Sequence, residues 1–237
     1  MKRPSTAGVT LIEVLIAVSL LSLLATGVLL AMRVGLGALG RANDRLMSNR
    51  RVAGAQRILE QELEGFLPTM ALCSANAEGP KSNLPFFEGQ PQSMRFVSTY
   101  SLEAAWRGLP QILEFQVSPG EEGRGVRLVV NEIPYTGPLS TGSLCFGFPP
   151  RFLPIEVGPH SFVLADKLAF CRFLYLEPAP PPAYQRWRPD WTAARWPLAL
   201  RVEMGPLEED AARLPIVSVT APIHVNRQQE LTYADDQ

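Results

Sequence analysis

The side chain most out of place in this sequence is a carboxylate. In GVTLIEVLIA, residues 8–17, Glu13 stands in a run that is otherwise apolar or small and uncharged from Val9 to Met32. An acidic residue central in a membrane-spanning helix costs roughly 2.5–3.5 kcal/mol on insertion scales, and less near a helix end. What a carboxylate can supply there is an ion pair. The other candidates for chemistry are weaker. His160 follows Gly-Pro in a turn and His224 lies in an apolar strand, so both read as structural or surface histidines rather than general bases. Ser161, beside His160, has no third group to orient a triad. GEEGRG (120–125) lacks the lysine and the strand-to-helix context of a phosphate loop.

The cysteines and acidic clusters add no site. Cys73, Cys145 and Cys171 form no CxxC and, with only two histidines, no zinc spacing. Outside the cytoplasm, one disulfide plus one free thiol is the natural arrangement. Cys145 and Cys171 share an apolar, strand-like context while Cys73 lies in a loop, so Cys145–Cys171 is the expected pair; three buried free thiols compete with it. Glu208-Glu209-Asp210 and Asp235-Asp236 read as solvated loop and tail rather than calcium ligands. Trp187, Trp191 and Trp196 suit a core or a subunit contact better than a sugar platform. The expectation is no catalytic residue, no metal and no cofactor.

The elements that would carry Glu13 are easier to read. The chain has 237 residues, 46% hydrophobic and 19% charged, which is globular composition, and a net charge of −1 gives no sign of a nucleic-acid partner. Residues 9–32 make a helix of about 36 Å, enough for a hydrocarbon core of about 30 Å. Lys2 and Arg3 precede it and Arg33 follows it. A secretory signal peptide, with Ala38 and Gly40 near its cleavage site, would have an apolar stretch of only about 7–15 residues. A plain signal anchor leaves Glu13 unexplained. Residues 33–67 continue as an amphipathic helix, with Leu39, Leu46, Leu59 and Leu63 on an apolar face and Arg57, Glu60, Glu62 and Glu64 on a polar one. Gly35, Gly37 and Gly40 mark a bend or softened turn, and Gly65 and Pro68 stop the helix. Residues 68–93, rich in Pro, Asn, Ser and Gly, read as a loop. Strand-like segments follow at 94–100, 112–118, 126–132, 161–165, 168–177, 198–204 and 216–225. The expected fold class is α+β, a long N-terminal helix packed on a β-rich globular domain.

Taken together, the basic leader MKRPSTAG ending in Gly8, the apolar Val9, then Thr10-Leu11-Ile12-Glu13 and the apolar run resemble the class III signal of type IV pilins and type II secretion pseudopilins. The resemblance implies that a prepilin peptidase in the membrane cuts between Gly8 and Val9 and methylates the new N-terminus. The family normally places phenylalanine first in the mature chain; here it is valine. The implied organisation is a leader (1–8), a transmembrane helix (9–32), the periplasmic part of that helix (33–67) and a β-rich periplasmic domain of pilin-like fold (68–237). Glu13 would stand one turn from the new Val9 amine, where a helix N-terminus favours negative charge. It could pair with the amine of a neighbouring subunit, fixing axial register, or with its own; buried ion pairs give registry better than net stability. Charge alone favours the opposite orientation, since Arg33, Arg41, Arg45, Arg50 and Arg51 lie just beyond the span. The resemblance puts the leader in the cytoplasm.

FCRFLYLE (170–177), the tryptophans of YQRWRPDW (184–191), WPLALRVEM (196–204) and the FVS strand (96–98) paired with 112–117 are similar to J-type minor pseudopilins. The proline-rich EPAPPPA (177–183) departs from that pattern. The J-type resemblance implies a tip complex with I- and K-type minor pseudopilins that primes assembly of the major pseudopilin on an inner-membrane platform, with the lipid bilayer around the helix. A minor type IV pilin of the W kind is the alternative within the class. A membrane-anchored periplasmic enzyme or binding domain is the alternative outside it.

Overall fold

Helix α1 (Leu11–Glu64, 54 residues) dominates the N-terminal part of a computed structural model of the chain. The structure describes residues 9–74, 81–102, 106–147, 150–208 and 218–223. As far as Arg50 the helix belongs to one compact unit; from Arg51 onward it belongs to a second, which holds all the strands. From Val14 to Met32 the helix is apolar or small and uncharged on all sides, so no face is distinguished there for a protein core. Ser19, Ser22 and Thr26 turn their hydroxyls back to the carbonyls of Leu15, Ser19 and Ser22 at 2.7, 2.9 and 2.8 Å, so these three donors are paired within the helix. The helix assignment runs unbroken through Gly35, Gly37 and Gly40, so the expected softened turn there is not a break in helical structure.

The second unit is β-rich. Its strands in chain order are β1 (Phe66–Leu67), β2 (Met70–Ser74), β3 (Lys81–Pro85), β4 (Glu88–Gly89), β5 (Ser93–Ser101), β6 (Trp106–Pro119) and β7 (Val126–Pro134). After a short helix α2 (Pro138–Gly142) come β8 (Cys145–Phe146), β9 (Arg151–Phe152), β10 (Phe162–Pro178), β11 (Gln185–Arg188), β12 (Ala199–Pro206) and β13 (Val219–Pro222). The main sheet runs β1-β5-β6-β7-β10-β12-β13, with β4 added on β5 and β11 on β10, and every pairing in it is antiparallel. A second sheet, β3-β2-β8-β9, packs over part of it.

Period-2 alternation explains the layering. Met94, Phe96, Leu113, Phe115, Leu128, Val130, Phe173 and Tyr175 point to one face and form the main core with Leu59 and Leu63 of α1. Both helix leucines are fully buried, each contributing roughly 2 kcal/mol of transfer free energy. The alternate residues Val97 and Ile112 point to the other face, into a second core with Ala71, Cys73, Leu84, Phe86 and Cys145. The 119–125 turn closes β6 onto β7 through a short 3₁₀ stretch, with Gly123 and Gly125 at positive φ.

Several expectations are corrected. The segment 68–93 is not a loop: it supplies β2, β3 and β4, and Cys73 lies on β2. The disulfide joins Cys73 to Cys145, not Cys145 to Cys171. The reason is topological. β2 and β8 are neighbours in the second sheet, whereas Cys171 on β10 points into the main core. Cys171 is a buried free thiol, and burial pushes its pKa up to about 12, which leaves it inert. Glu62 does not lie on a solvent face with Glu60 and Glu64; it is completely buried.

Candidate processing and assembly site

Glu13 belongs to the first turn of α1, where its N–H donates to the Thr10 carbonyl at 3.1 Å and the N–H of Val14 donates to the same carbonyl at 3.3 Å. Unpaired N–H groups at such a terminus favour a carboxylate. Val9, Glu13, Ala17 and Leu21 recur every four residues and, with Val14 and Val18, line one shallow groove along the helix. Val9 and Glu13 therefore share a stripe, four residues or about 6 Å of rise apart. Both are exposed, as are the large apolar residues from Leu11 to Met47. Such a helix suits an apolar surround, and it is long and apolar enough to cross a membrane once. Gly8 lies outside the described residues.

Residues 3–29 match the prokaryotic N-terminal methylation motif. This is the cleavage and methylation signal of prepilin-like proteins, the type IV pilins and pseudopilins, a non-catalytic class. The matched stretch contains Gly8, Val9 and Glu13 and ends inside α1, so it does not select a subtype. Beyond the methylation motif, no curated protein matches the chain. A single apolar N-terminal helix followed by a β-rich domain outside the membrane is the architecture such a motif accompanies.

The remaining candidates have structural duties. The Ser161 hydroxyl donates to Asn131 Oδ1 at 2.6 Å and accepts from the Gly158 N–H at 2.9 Å, while His160 is exposed in the same turn. His224, Glu209, Asp210, Asp235 and Asp236 lie outside the described residues. Glu208 meets Arg124 at 3.5 Å on the surface. Trp191 is buried: its Nε1–H donates to the Arg195 carbonyl at 2.6 Å and its backbone bridges to Gly89. Trp196 packs partly buried against the main core, and Trp187 lies under the Arg201 guanidinium, 4.0 Å from the ring centroid. Among the described residues, no group of three or more His, Cys, Asp or Glu side chains could hold a metal ion.

Two polar groupings escape a reading by alternation. The first is a cross-strand row, Glu88–Arg95–Glu114–Asn131, on β4, β5, β6 and β7. Arg95 is fully buried and meets Glu88 and Glu114, each at 2.7 Å. It also donates to the Leu153 carbonyl at 2.9 Å, and Asn131 donates to Glu114 at 3.2 Å. Burial raises the Glu88 pKa; Arg95 opposes that shift and Glu114 adds to it. The signal in the sequence was an arginine flanked by Met94 and Phe96, with glutamates near both neighbouring strands' centres. It reads as a solvent-facing row unless both faces of the sheet are known to be covered. The second grouping is Glu62, described below.

Proposed function

We propose that this chain is a J-type minor pseudopilin of a type II secretion system, which joins I- and K-type minor pseudopilins in a tip complex that primes pseudopilus assembly for protein export. On this reading, prepilin peptidase cleaves between Gly8 and Val9 and methylates Val9. The helix remains in the inner membrane and the β-rich domain stands in the periplasm. The observation that carries the proposal is Glu13, the one ionisable residue in the membrane-spanning run, set one turn beyond Val9 on an exposed helix within the methylation motif. A carboxylate in lipid is tolerated where it has a partner, and the freed amine of an adjacent subunit is a partner of the right sign. The Cys73–Cys145 disulfide supports an oxidising compartment for the domain. The segments 96–98, 170–177, 184–191 and 196–204 supply the J-type likeness.

Two substitutions test it in cells making the full chain. Gly8→Leu should leave the leader attached, read as unchanged mass and an unmethylated N-terminus; normal processing would remove the cleavage assignment. Glu13→Ala should preserve membrane insertion and abolish co-purification with I- and K-type partners as well as secretion. Wild-type levels of both would reduce Glu13 to a tolerated residue in an ordinary anchor.

A further inference from the structure

The end of α1 is stitched to the main sheet at one place. The Gly65 N–H closes the last turn on Gln61 at 2.9 Å, the Gly65 carbonyl accepts from the Thr99 N–H at 2.8 Å, and the Ser98 hydroxyl donates to the Glu62 carbonyl at 3.0 Å. Within this seam the Glu62 side chain has no solvent exposure, and neither carboxyl oxygen has a hydrogen-bond partner. Among the described residues, the charge acting on it is that of another acid, Glu132 on β7. Glu132 accepts from the Ser101 hydroxyl at 3.0 Å and from the Leu102 backbone N–H. A carboxylate there opposes a second negative charge on Glu62.

The surroundings offer Glu62 no described cation. Phe96, Leu113 and Glu132 are cross-strand neighbours on β5, β6 and β7, so the sheet brings one acid and two apolar groups in that row. Ser98 and Thr99, the β5 residues at the seam, turn their hydroxyls to the Glu62 and Gly65 backbone carbonyls. On the helix itself Arg57, Glu60 and Glu64 are exposed.

We propose that Glu62 is a proton-held clasp: the Arg51–Glu64 end of the helix is seated on the sheet while Glu62 is protonated, and loss of that proton releases the helix end while the strands stay paired. A buried acid without partners is kept neutral at modest cost, whereas its ionised form would be desolvated and faced by Glu132. Burial first and Glu132 second raise its pKa to about 9, against an opposing contribution from the Ser98 hydroxyl. In a released helix end the carboxyl would ionise near its usual pKa of about 4.3. Between those limits the seated state holds a proton that the released state lacks, so release becomes about tenfold more frequent with each unit of rising pH.

Amide hydrogen exchange of the full chain in detergent micelles, corrected for the intrinsic pH dependence of exchange, reads this directly. Peptides covering 51–64 should open about tenfold more per unit from pH 6 to pH 8.5, while peptides from β6 and β7 keep a pH-independent protection. Glu62→Gln should flatten the helix profile and leave that segment at least about a hundredfold less open at pH 8. Glu132→Gln, in a chain that keeps Glu62, should leave the helix less open than wild type at pH 8.5. A slope that persists in Glu62→Gln overturns the clasp. So does loss of protection in β6 and β7 in parallel with the helix, which would mean that the buried acid weakens the whole domain. Should Glu62→Gln fail to fold, an unchanged profile in Glu132→Gln overturns it as well.

Discussion

Replacing Arg95 with methionine removes the one cation between two buried carboxylates and keeps most of the side-chain volume. In the wild type the guanidinium meets Glu88 and Glu114 at 2.7 Å each, with all three side chains nearly inaccessible. At an effective dielectric constant of about 20, each contact is worth about 4 kcal/mol of Coulomb attraction, most of it offset by the cost of taking the charges out of water. Without Arg95 the desolvation remains and the attraction does not, so Arg95→Met should cost about 3–5 kcal/mol at pH 8. The sign of the pH dependence follows from linkage. Glu88, already raised by burial, loses the group that held its pKa down, and Glu114 loses its counter-ion. Glu88, with its folded pKa above the unfolded value of about 4.3, binds its proton more tightly folded than unfolded, so its contribution is full in acid and lost as the pH rises. The penalty should therefore shrink to half or less at pH 5. Urea unfolding of the full chain in detergent, followed by the fluorescence of buried Trp191, measures it at both pH values. The triple variant Arg95→Met, Glu88→Gln, Glu114→Gln should recover most of the loss at pH 8. A penalty below about 1 kcal/mol at pH 8, or one equal at both pH values, would refute the assignment of this row as a charged, mutually dependent unit.

Two further outcomes follow from the packing. Cys145→Ser opens a covalent loop of sequence separation 72, which chain entropy values at about 4 kcal/mol; denaturant midpoints with and without reductant should differ for wild type and coincide for the variant, while Cys171→Ser keeps the difference. Gly89→Ala would set a Cβ 2.7 Å from Trp191 Cβ and 2.8 Å from Tyr175 Cζ, so it should destabilise by about 1–3 kcal/mol and shift the Trp191 emission, read in the same unfolding experiment.

The sequence made the long elements legible and the short ones illegible, for physical reasons. The helix stop at Gly65–Pro68 falls where α1 ends at Glu64, and the alternation of 94–100, 112–118 and 126–132 lies within β5, β6 and β7. β2, β3 and β4 are two to five residues long, and β3 ends in a proline, so composition outvoted periodicity there. The second sheet they help build depends on non-local events: Cys73 meeting Cys145, and Phe86 packing among residues from five strands. Glu62 and Arg95 failed for a common reason. Charged residues are exposed by default, and only the tertiary layering shows that α1 covers one face of the sheet and β2, β3, β8 and β9 cover part of the other. At the candidate processing and assembly site the order is reversed: the spacing of Gly8, Val9 and Glu13 is local in sequence, within the motif matched over residues 3–29.

Strand β10 was expected as two segments, 161–165 and 168–177, and is one strand with three partners, β7, β12 and β11. Its first half pairs with β7 through irregular register between Val163 and Leu168, and its second half pairs with β12, again with an irregularity between Leu168 and Phe170. Lys167, at φ 56°, sits inside this splice. In an unbroken strand, adding or losing one residue turns every later side chain to the opposite face. Here the splice can absorb such a change, because neither half takes its phase from the other. The outer strands β12 and β13 thereby take their register from the second half of β10 alone, yet still place Leu200, Val202, Val219 and Ala221 in the core that holds the end of α1.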